Sequence, residues 1–390
     1  MFKVEVIKTT QEFQDIREEW NNLLSESKAD TIFLTWEWLF TWWEIYGDKI
    51  ELRILIFRKN DSTLCGIVPL MITKRFIGIK QFRILEFIGS HSVSSEYLDF
   101  ICLKEWEKEI FSSFILHIMK YRDWDLLSFY RIPEESPTVH FLKDIEIHGN
   151  IHLFTTRSEE SLYITLPKSW DEYLISLGKN TRHNIRRYRM RLEKELRGTF
   201  VESKVYAEHE MEDVISLHQS RMGSLGKIGS FASIQFRQFH KKIAKRALER
   251  NWLRLFYLKM DDRNIASRYG FIYGDKFYDY NTGFDPAYEK YYVGFVLLSY
   301  CIEKCITEGI AREFDFLGPG TYKERWNTKY RKKISVVISP NFYNLKLYLF
   351  LTGFNKMLSS QGRKLMPEGL YQRLRNLKQR IFIHLGKPLR

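Results

Sequence analysis

Two distant segments of this chain have closely similar sequences. Segment 52–61 reads Leu-Arg-Ile-Leu-Ile-Phe-Arg-Lys-Asn-Asp, and 201 residues later segment 253–262 reads Leu-Arg-Leu-Phe-Tyr-Leu-Lys-Met-Asp-Asp. In each, an apolar run ends in a polar turn, and a second apolar run with a small residue follows the turn. This pattern is typical of a β-hairpin. One hairpin therefore recurs in two halves of the chain.

The surroundings of the two hairpins also agree. Helical patterns precede each hairpin, and a strand, a helix and another strand follow it, so the order α-α-β-β-β-α-β occurs twice. A chain of 390 residues also exceeds the ~250–300 residues at which a single core stops growing. We therefore predict an α/β (α+β) fold with one unit over residues 1–160, a second over 161–340 and an extension over 341–390.

Composition limits the class of protein. The chain is 44% hydrophobic and 16% aromatic, which excludes wholesale disorder. It contains neither a signal-peptide core nor a run of ~18 uncharged apolar residues, so we expect a soluble, cytoplasmic protein. Its four cysteines lack zinc-type spacing and its ten histidines are not clustered. We expect buried thiols and no metal.

The positive charge is concentrated in two segments. Of the net +13, segment 341–390 contributes +9 and segment 179–197 contributes +6, which leaves −2 for the rest. This distribution argues against a broad nucleic-acid surface and favours two local anion contacts. Segment 341–390 contains two amphipathic helical patterns with basic faces, over 345–354 and 370–383. Such helices either lie on an anionic membrane or pack back onto the body.

The second basic segment contains an arginine stripe. Arg182, Arg186 and Arg189 have the i, i+4, i+7 spacing that places them on one helical face. The stripe is either a solvated face or a grip for the phosphates of a nucleotide-sugar, a lipid-linked pyrophosphate or tRNA. We expect it to bind substrate.

A strand that opens into a helix forms a second candidate anion site. A half-buried strand from Tyr278 leads through Tyr288-Glu-Lys-Tyr-Tyr-Val-Gly294 into an apolar helix. The first amides of a helix have no helical partner, and the helix dipole adds positive charge there. The backbone from Val293 to Phe295 therefore either receives a pyrophosphate or simply begins a helix close to a sheet.

These motifs resemble a known family. Five segments of the chain together resemble the GNAT superfamily. They are Tyr288 to Gly294, Phe314-Asp-Phe-Leu-Gly318, Tyr322-Lys-Glu-Arg-Trp326, Tyr97-Leu-Asp99 and the Thr181-Arg-His-Asn segment. The similarity covers about residues 5–338 and is to the CelD/BcsL-like branch with a BioF2-like acetyltransferase domain, related to the Fem aminoacyl transferases. It implies tandem GNAT-like units, each with a mixed, mostly antiparallel sheet flanked by helices.

The resemblance also implies a co-substrate and a site for it. Acetyl-CoA or another acyl-CoA would bind through Lys290, Val293, Gly294 and Phe295, although Tyr292 stands where the family usually has glycine. By the same resemblance the enzyme is an acyltransferase that modifies an amine or hydroxyl of a cell-envelope or exopolysaccharide precursor. The expected partners are a saccharide acceptor, free or lipid-linked, and an anionic membrane. Segment 341–390 would contact the inner face of this membrane peripherally.

Four residues are candidates for the chemistry of acyl transfer. The resemblance implies that Tyr322 protonates the leaving thiolate and that Lys323 stabilises the anionic intermediate. Two carboxylates, Asp99 and Glu96, are candidate bases that take the proton from the acceptor. Asp99 alternates with Tyr97 on a predicted strand over 97–103, so the two would share a face. Two alternatives stay open: an aminoacyl-tRNA-dependent transferase of the Fem type, and a catalytically silent scaffold for envelope assembly.

Overall fold

The computed structural model describes residues 2–78, 80–148, 151–203 and 208–357. Within these ranges a 13-stranded sheet is flanked by helices. The strands are β1 (Lys3–Ile7), β2 (Glu51–Arg58), β3 (Leu64–Ile77), β4 (Lys80–Phe87), β5 (Ile101–Cys102), β6 (Leu126–Pro133), β7 (His152–Thr165), β8 (Thr199–Ser203), β9 (Leu253–Met260), β10 (Arg263–Tyr273), β11 (Lys276–Phe284), β12 (Glu313–Asp315) and β13 (Lys329–Ser339).

The α-helices of the described ranges include those predicted before each hairpin and the one predicted after it. They are α1 (Thr10–Asp15), α2 (Arg17–Glu26), α3 (Trp36–Tyr46), α4 (Glu107–Lys120), α5 (Pro137–His148), α6 (Trp170–Ser176), α7 (Lys179–Leu196), α8 (Glu208–Ser224), α9 (Ile234–Glu249), α10 (Val293–Thr307), α11 (Thr321–Glu324) and α12 (Phe342–Met357).

The sheet repeats one arrangement in each half of the chain. Its order is β1-β2-β3-β4-β6-β13-β7-β12-β11-β10-β9-β8, with β5 paired to β3. Two pairs are parallel, β4 with β6 and β11 with β12, and a helix crosses between the strands of each pair, α4 in the first and α10 in the second. The other pairs are antiparallel. The predicted hairpins and mixed, mostly antiparallel fold are confirmed.

The strand β13 joins the two halves. It pairs antiparallel with β6 on one side and with β7 on the other, so the sheet is continuous. The predicted unit boundary at residue 160 falls inside β7. The division into residues 1–160 and 161–340 remains a prediction, and the strand at the end of the second segment completes the sheet of the first.

Aromatic packing also connects the halves. Trp38 of α3 is fully buried, and its ring lies 5.0 Å from that of Phe239 on α9 and 5.7 Å from that of Tyr280 on β11. A second cluster of buried residues lies around α10, including Cys301 and Cys305. All four cysteines are buried and free, as predicted. The helices α3 and α9 therefore share one core across the repeat.

The predicted strand over 97–103 is wrong for most of its length. Only Ile101–Cys102 forms a strand, and Tyr97 has a φ of 56°, outside the β region. The Asp99 carboxylate accepts hydrogen bonds from the Ser136 and Thr138 hydroxyls and from the Phe100 N–H. Side-chain bonds of this kind compete with strand pairing. Tyr97 and Asp99 therefore do not share a strand face.

The extension begins as predicted, with a helix, α12. The second helical pattern, over 370–383, lies outside the described residues. Among the helices that the structure describes, none has the length and apolar character needed to cross a bilayer.

We predict that a methyl group at Gly283 destabilises the fold. A Cβ there would lie 2.2 Å from the His218 nitrogen and 2.5 Å from the Leu217 carbonyl carbon, so backbone of α8 would have to move. Overpacking of this kind costs about 1–3 kcal/mol. In urea unfolding, Gly283→Ala should lose stability by that amount.

Gly223→Ala is the matched control, because Gly223 lies in the last turn of α8, the helix that Gly283 contacts, with nothing within 4 Å of its Cβ position. This variant should be neutral or gain stability, since alanine loses less backbone entropy than glycine on folding. Equal unfolding midpoints for the two variants would contradict the tight contact at Gly283.

Candidate active site

A cavity lies where two parallel strands separate. Strands β11 and β12 pair only from Lys276 to Tyr278 on β11 and from Glu313 to Asp315 on β12. Beyond this point β11 continues to Phe284 while β12 has ended. A cavity of about 380 Å³ is lined by this continuing part of β11 and the N-terminus of α10. Its volume is within the usual range for small-molecule sites.

The start of α10 faces this cavity with backbone donors. The Phe295 and Val296 N–H groups donate to the Tyr292 carbonyl and form the first turn. Val293 and Gly294 precede these bonds and line the cavity. At this position amides and the helix dipole favour an anion. Three of the predicted backbone contacts, Val293, Gly294 and Phe295, thus lie together at the cavity.

Tyr292 adopts the conformation that glycine usually supplies. Its φ of 55° and ψ of 35° are in the left-handed region. Its ring stacks on that of Tyr188, with centroids 4.1 Å apart and 15° between the planes. The tyrosine at this position therefore packs on α7 and forms part of the cavity wall.

Three arginines from different elements line the same cavity. They are Arg221 of α8, Arg268 of β10 and Arg325, which follows α11. Arg268 is 2% exposed and forms a buried ion pair with Asp279. In the described part of the chain, no ion pair is found for Arg221 or Arg325. The cavity thus combines cationic side chains with helix amides, which suits a phosphate-bearing ligand.

Tyr322 reaches the cavity from α11. Burial raises the pKa of its hydroxyl, and the nearby Asp279 carboxylate acts in the same direction. Tyr322 is therefore protonated at neutral pH. A hydroxyl in this state can donate a proton to a leaving group.

Lys323 lies next to Tyr322 but has another orientation. Its Nζ donates to the carbonyl oxygens of Phe316 at 2.9 Å and Gly318 at 3.1 Å. Burial lowers the pKa of this amine. Lys323 is not among the residues that line the cavity, and it holds the loop between β12 and α11.

The structure does not bring Asp99 and Glu96 to this cavity. Asp99 lines a separate cavity of about 240 Å³, which shares no lining residue with the first. Glu96 is 2% exposed and forms ion pairs with Lys333 and Arg131. Both carboxylates therefore already have partners at the junction of the halves. A role for either as the base remains a prediction.

The three arginines of the stripe on α7 have different environments. Arg189 donates to Glu303 and, at 2.8 Å, to the Ser299 hydroxyl, so it fixes α7 to α10. Arg186 is exposed, and Arg182 donates at 3.4 Å to the Ile175 carbonyl. Lys290 is exposed, with its Nζ 5.1 Å from the Tyr291 ring centroid, and does not line the cavity.

Sequence reasoning missed several residues of this site, namely Arg221, Arg268, Thr282, Phe284 and Arg325. One of them could have been recognised from the sequence, because Arg268 is the single charged residue in the apolar strand segment 265–271. A charge in a buried strand needs a partner, and such positions favour function. The others come from α8, from β11 and from the segment after α11, and these elements meet only in the fold.

We predict that Asp99 makes stability depend on pH. Burial raises the pKa of its carboxyl from 3.8 to about 6. The folded state therefore holds this proton up to a higher pH than the unfolded chain does. As the pH rises from about 4 to 6, this group lowers the free energy of unfolding by about 3 kcal/mol.

Asp99→Asn should remove this dependence, because the amide stays neutral. Urea unfolding of both proteins between pH 4.5 and pH 7.5 measures it: the stability of the wild type relative to the variant should fall as the pH rises. A difference that stays constant with pH would show that Asp99 titrates normally.

Comparison with known proteins is consistent with this geometry. Residues 179–327 match the model of the acetyltransferase (GNAT) domain. No curated protein matches the chain. Among solved structures, FemX is similar over 89% of this chain and 99% of its own, with 13% identity and a TM-score of 0.61.

Two further structures have similar folds. L-PGS from Bacillus licheniformis matches over 86% of this chain and 95% of its own, with 14% identity and a TM-score of 0.50. The C-terminal domain of a putative lysylphosphatidylglycerol synthetase from Agrobacterium fabrum matches over 88% and 97%, with 11% identity and a TM-score of 0.51. At such identities these likenesses show the fold alone. The CelD/BcsL-like branch remains a prediction. The family match identifies residues 179–327 as a GNAT acetyltransferase domain, so this chain contains an enzyme domain of the N-acyltransferase type.

Proposed function

We propose that this enzyme transfers an acetyl or other acyl group from acyl-CoA to an amine or hydroxyl of a cell-envelope or exopolysaccharide precursor. The observation that carries the donor assignment is the opening of the α10 N-terminus into a cavity lined by Arg221, Arg268 and Arg325. The acceptor class rests on the family resemblance. An acceptor carried on a lipid would require the enzyme to work at the inner face of the membrane.

In this proposal the donor's diphosphate lies at the start of α10. The Val293 and Gly294 amides donate to it, and the arginines balance its charge. The thioester end then extends along β11 toward Tyr322. A bulge in the pairing of β11 with β10, where the register shifts at Tyr269/Gly270, interrupts the ladder on this route. Bulges re-aim backbone groups and are common beside active sites.

The chemical step is a direct transfer. The acceptor nitrogen or oxygen attacks the thioester carbonyl, the new C–N or C–O bond forms, and the C–S bond breaks. The acceptor's proton goes to a base, for which Asp99 and Glu96 remain the candidates from the sequence, and Tyr322 gives its proton to the departing thiolate. Holding both substrates in one orientation supplies much of the rate. Lys323 acts by holding the loop that precedes α11, the helix of Tyr322.

The Fem-type alternative remains the second candidate. The similar protein FemX bears the name of that class, and α7 borders the donor cavity through Asn184 and Tyr188 while Arg186 stays exposed. An aminoacyl-tRNA could bind along this exposed side. Such binding would weaken steeply with salt, because phosphate contacts release counterions. The third hypothesis, a catalytically silent scaffold, predicts that the protein binds neither acyl-CoA nor aminoacyl-tRNA.

Calorimetry with acetyl-CoA tests the donor assignment. We expect binding by the wild type and at least a tenfold loss in Gly294→Glu, because the new carboxylate faces the same space as the diphosphate. Gly294→Ala is the control: its Cβ would meet Phe284 at an ordinary 3.4 Å, so the fold and most of the affinity should persist. Absence of binding by the wild type would rule out acyl-CoA. Salt-dependent tRNA binding would then favour the Fem-type reaction.

A tyrosine comparison tests the proton donor. Tyr322→Phe keeps the ring and removes the hydroxyl, so kcat should fall about 100-fold with little change in KM for the donor. Tyr292→Phe alters a second tyrosine of the same cavity and should leave kcat nearly unchanged. The assay is release of CoA from acetyl-CoA with glucosamine as acceptor. Equal turnover by the two variants would exclude Tyr322 as the acid.

A further inference from the structure

The helix α12 has apolar residues on two opposite sides. Its inner side packs on the sheet through Leu345 and Leu351, against Phe82, Ile84 and Val337. On its outer side Phe342, Tyr343 and Phe350 are 44%, 80% and 67% exposed. Large aromatic residues that are exposed in one group mark an interaction surface. The outer side of α12 therefore has the composition of such a surface.

Neighbouring strands extend this apolar surface. Phe154 of β7 is 47% exposed and pairs in register with Val337, which packs beneath α12. Cross-strand partners point to the same side of a sheet, so Phe154 lies on the α12 side. Its neighbour His152 has its ring 5.0 Å from that of Phe342. We call Phe154, Phe342, Tyr343 and Phe350 the α12 face.

The sequence of α12 and of the segment that follows it is basic. Lys346 is exposed between the aromatic residues, with its Nζ 4.2 Å from the Phe342 ring centroid, and α12 contains no Asp or Glu. Segment 341–390 has ten Lys/Arg and one acidic residue, a net +9, and most of this charge follows α12 in the sequence. Exposed aromatic rings interspersed with lysine are typical of surfaces that enter the headgroup region of a bilayer.

We infer that the α12 face docks on an anionic membrane surface. The aromatic side chains would enter the headgroup layer while Lys346 and the basic residues that follow α12 contact acidic lipids. A second copy of this chain fits less well, because two segments 341–390, each with a net charge of +9, would repel each other. The inference does not depend on which donor the enzyme uses.

Flotation with vesicles of equal parts phosphatidylglycerol and phosphatidylcholine tests the inference on the full-length protein. The wild type should float with these vesicles, with less binding at high salt and to pure phosphatidylcholine. The double variant Tyr343→Ser/Phe350→Ser should partition at least tenfold more weakly. Lys346→Glu, which keeps the aromatic residues, should also weaken binding.

The matched control lies on the opposite side of the sheet. Tyr121, at the end of α4, is 53% exposed and contacts Lys120, so Tyr121→Ser removes a similar aromatic residue beside a lysine. The control should float like the wild type. Acetyl-CoA calorimetry should give the same affinity for all variants, which separates this test from that of the donor site.

Three results would overturn the inference. The first is equal partitioning of the wild type and the double variant. The second is a large fall in melting temperature of the double variant, which would show that residues 358–390 of the same chain cover the face. The third is a dimer of the wild type that the double variant abolishes, which would show that the face joins two copies.

Discussion

The buried carboxylate of Asp315 links residues from both halves of the chain. It accepts hydrogen bonds from the Tyr97 hydroxyl at 2.7 Å and from the Leu317 N–H at 2.8 Å, and Arg331 lies 3.3 Å away. Burial raises the pKa of this carboxyl. At Asp315 the strand β12 ends and the loop toward Tyr322 begins. One side chain thus connects the first half of the chain, through Tyr97, to the loop that leads from β12 to α11.

Buried charge pairs fix the register of β13 beside this point. Lys333 and Glu96 are 1% and 2% exposed and pair with each other, and Arg131 adds a second contact to Glu96. A buried charge is costly without its partner, so a shifted strand would leave Glu96 uncompensated. Because β13 lies between β6 and β7, this pairing orders both halves at once. The repeat has therefore become one sheet, in which neither half has a complete set of neighbours alone.

The sequence was sufficient for elements whose signals are local. The two hairpins and α10 follow from apolar period and turn residues over ten to fifteen positions, and the helix start at Val293 agrees with the amides predicted to bind an anion. The segment after Ser95 was misread as a strand because its side chains bond to residues near 136, which no local pattern reveals. The placement of β13 between the halves and the meeting of Arg221 with Arg268 likewise depend on long-range packing.

Tyr292 shows how a departure from a family pattern can leave a site open. A left-handed conformation costs a residue other than glycine about 1–2 kcal/mol. The stack of Tyr292 on Tyr188 offsets part of this cost, because aromatic pairs contribute about 0.5–1.5 kcal/mol. The ring is held against α7, so it does not cover the first amides of α10, and Val293 and Gly294 still line the cavity. Glycine would leave these amides accessible because it has no side chain. Here the amides stay accessible because the Tyr292 side chain packs on Tyr188.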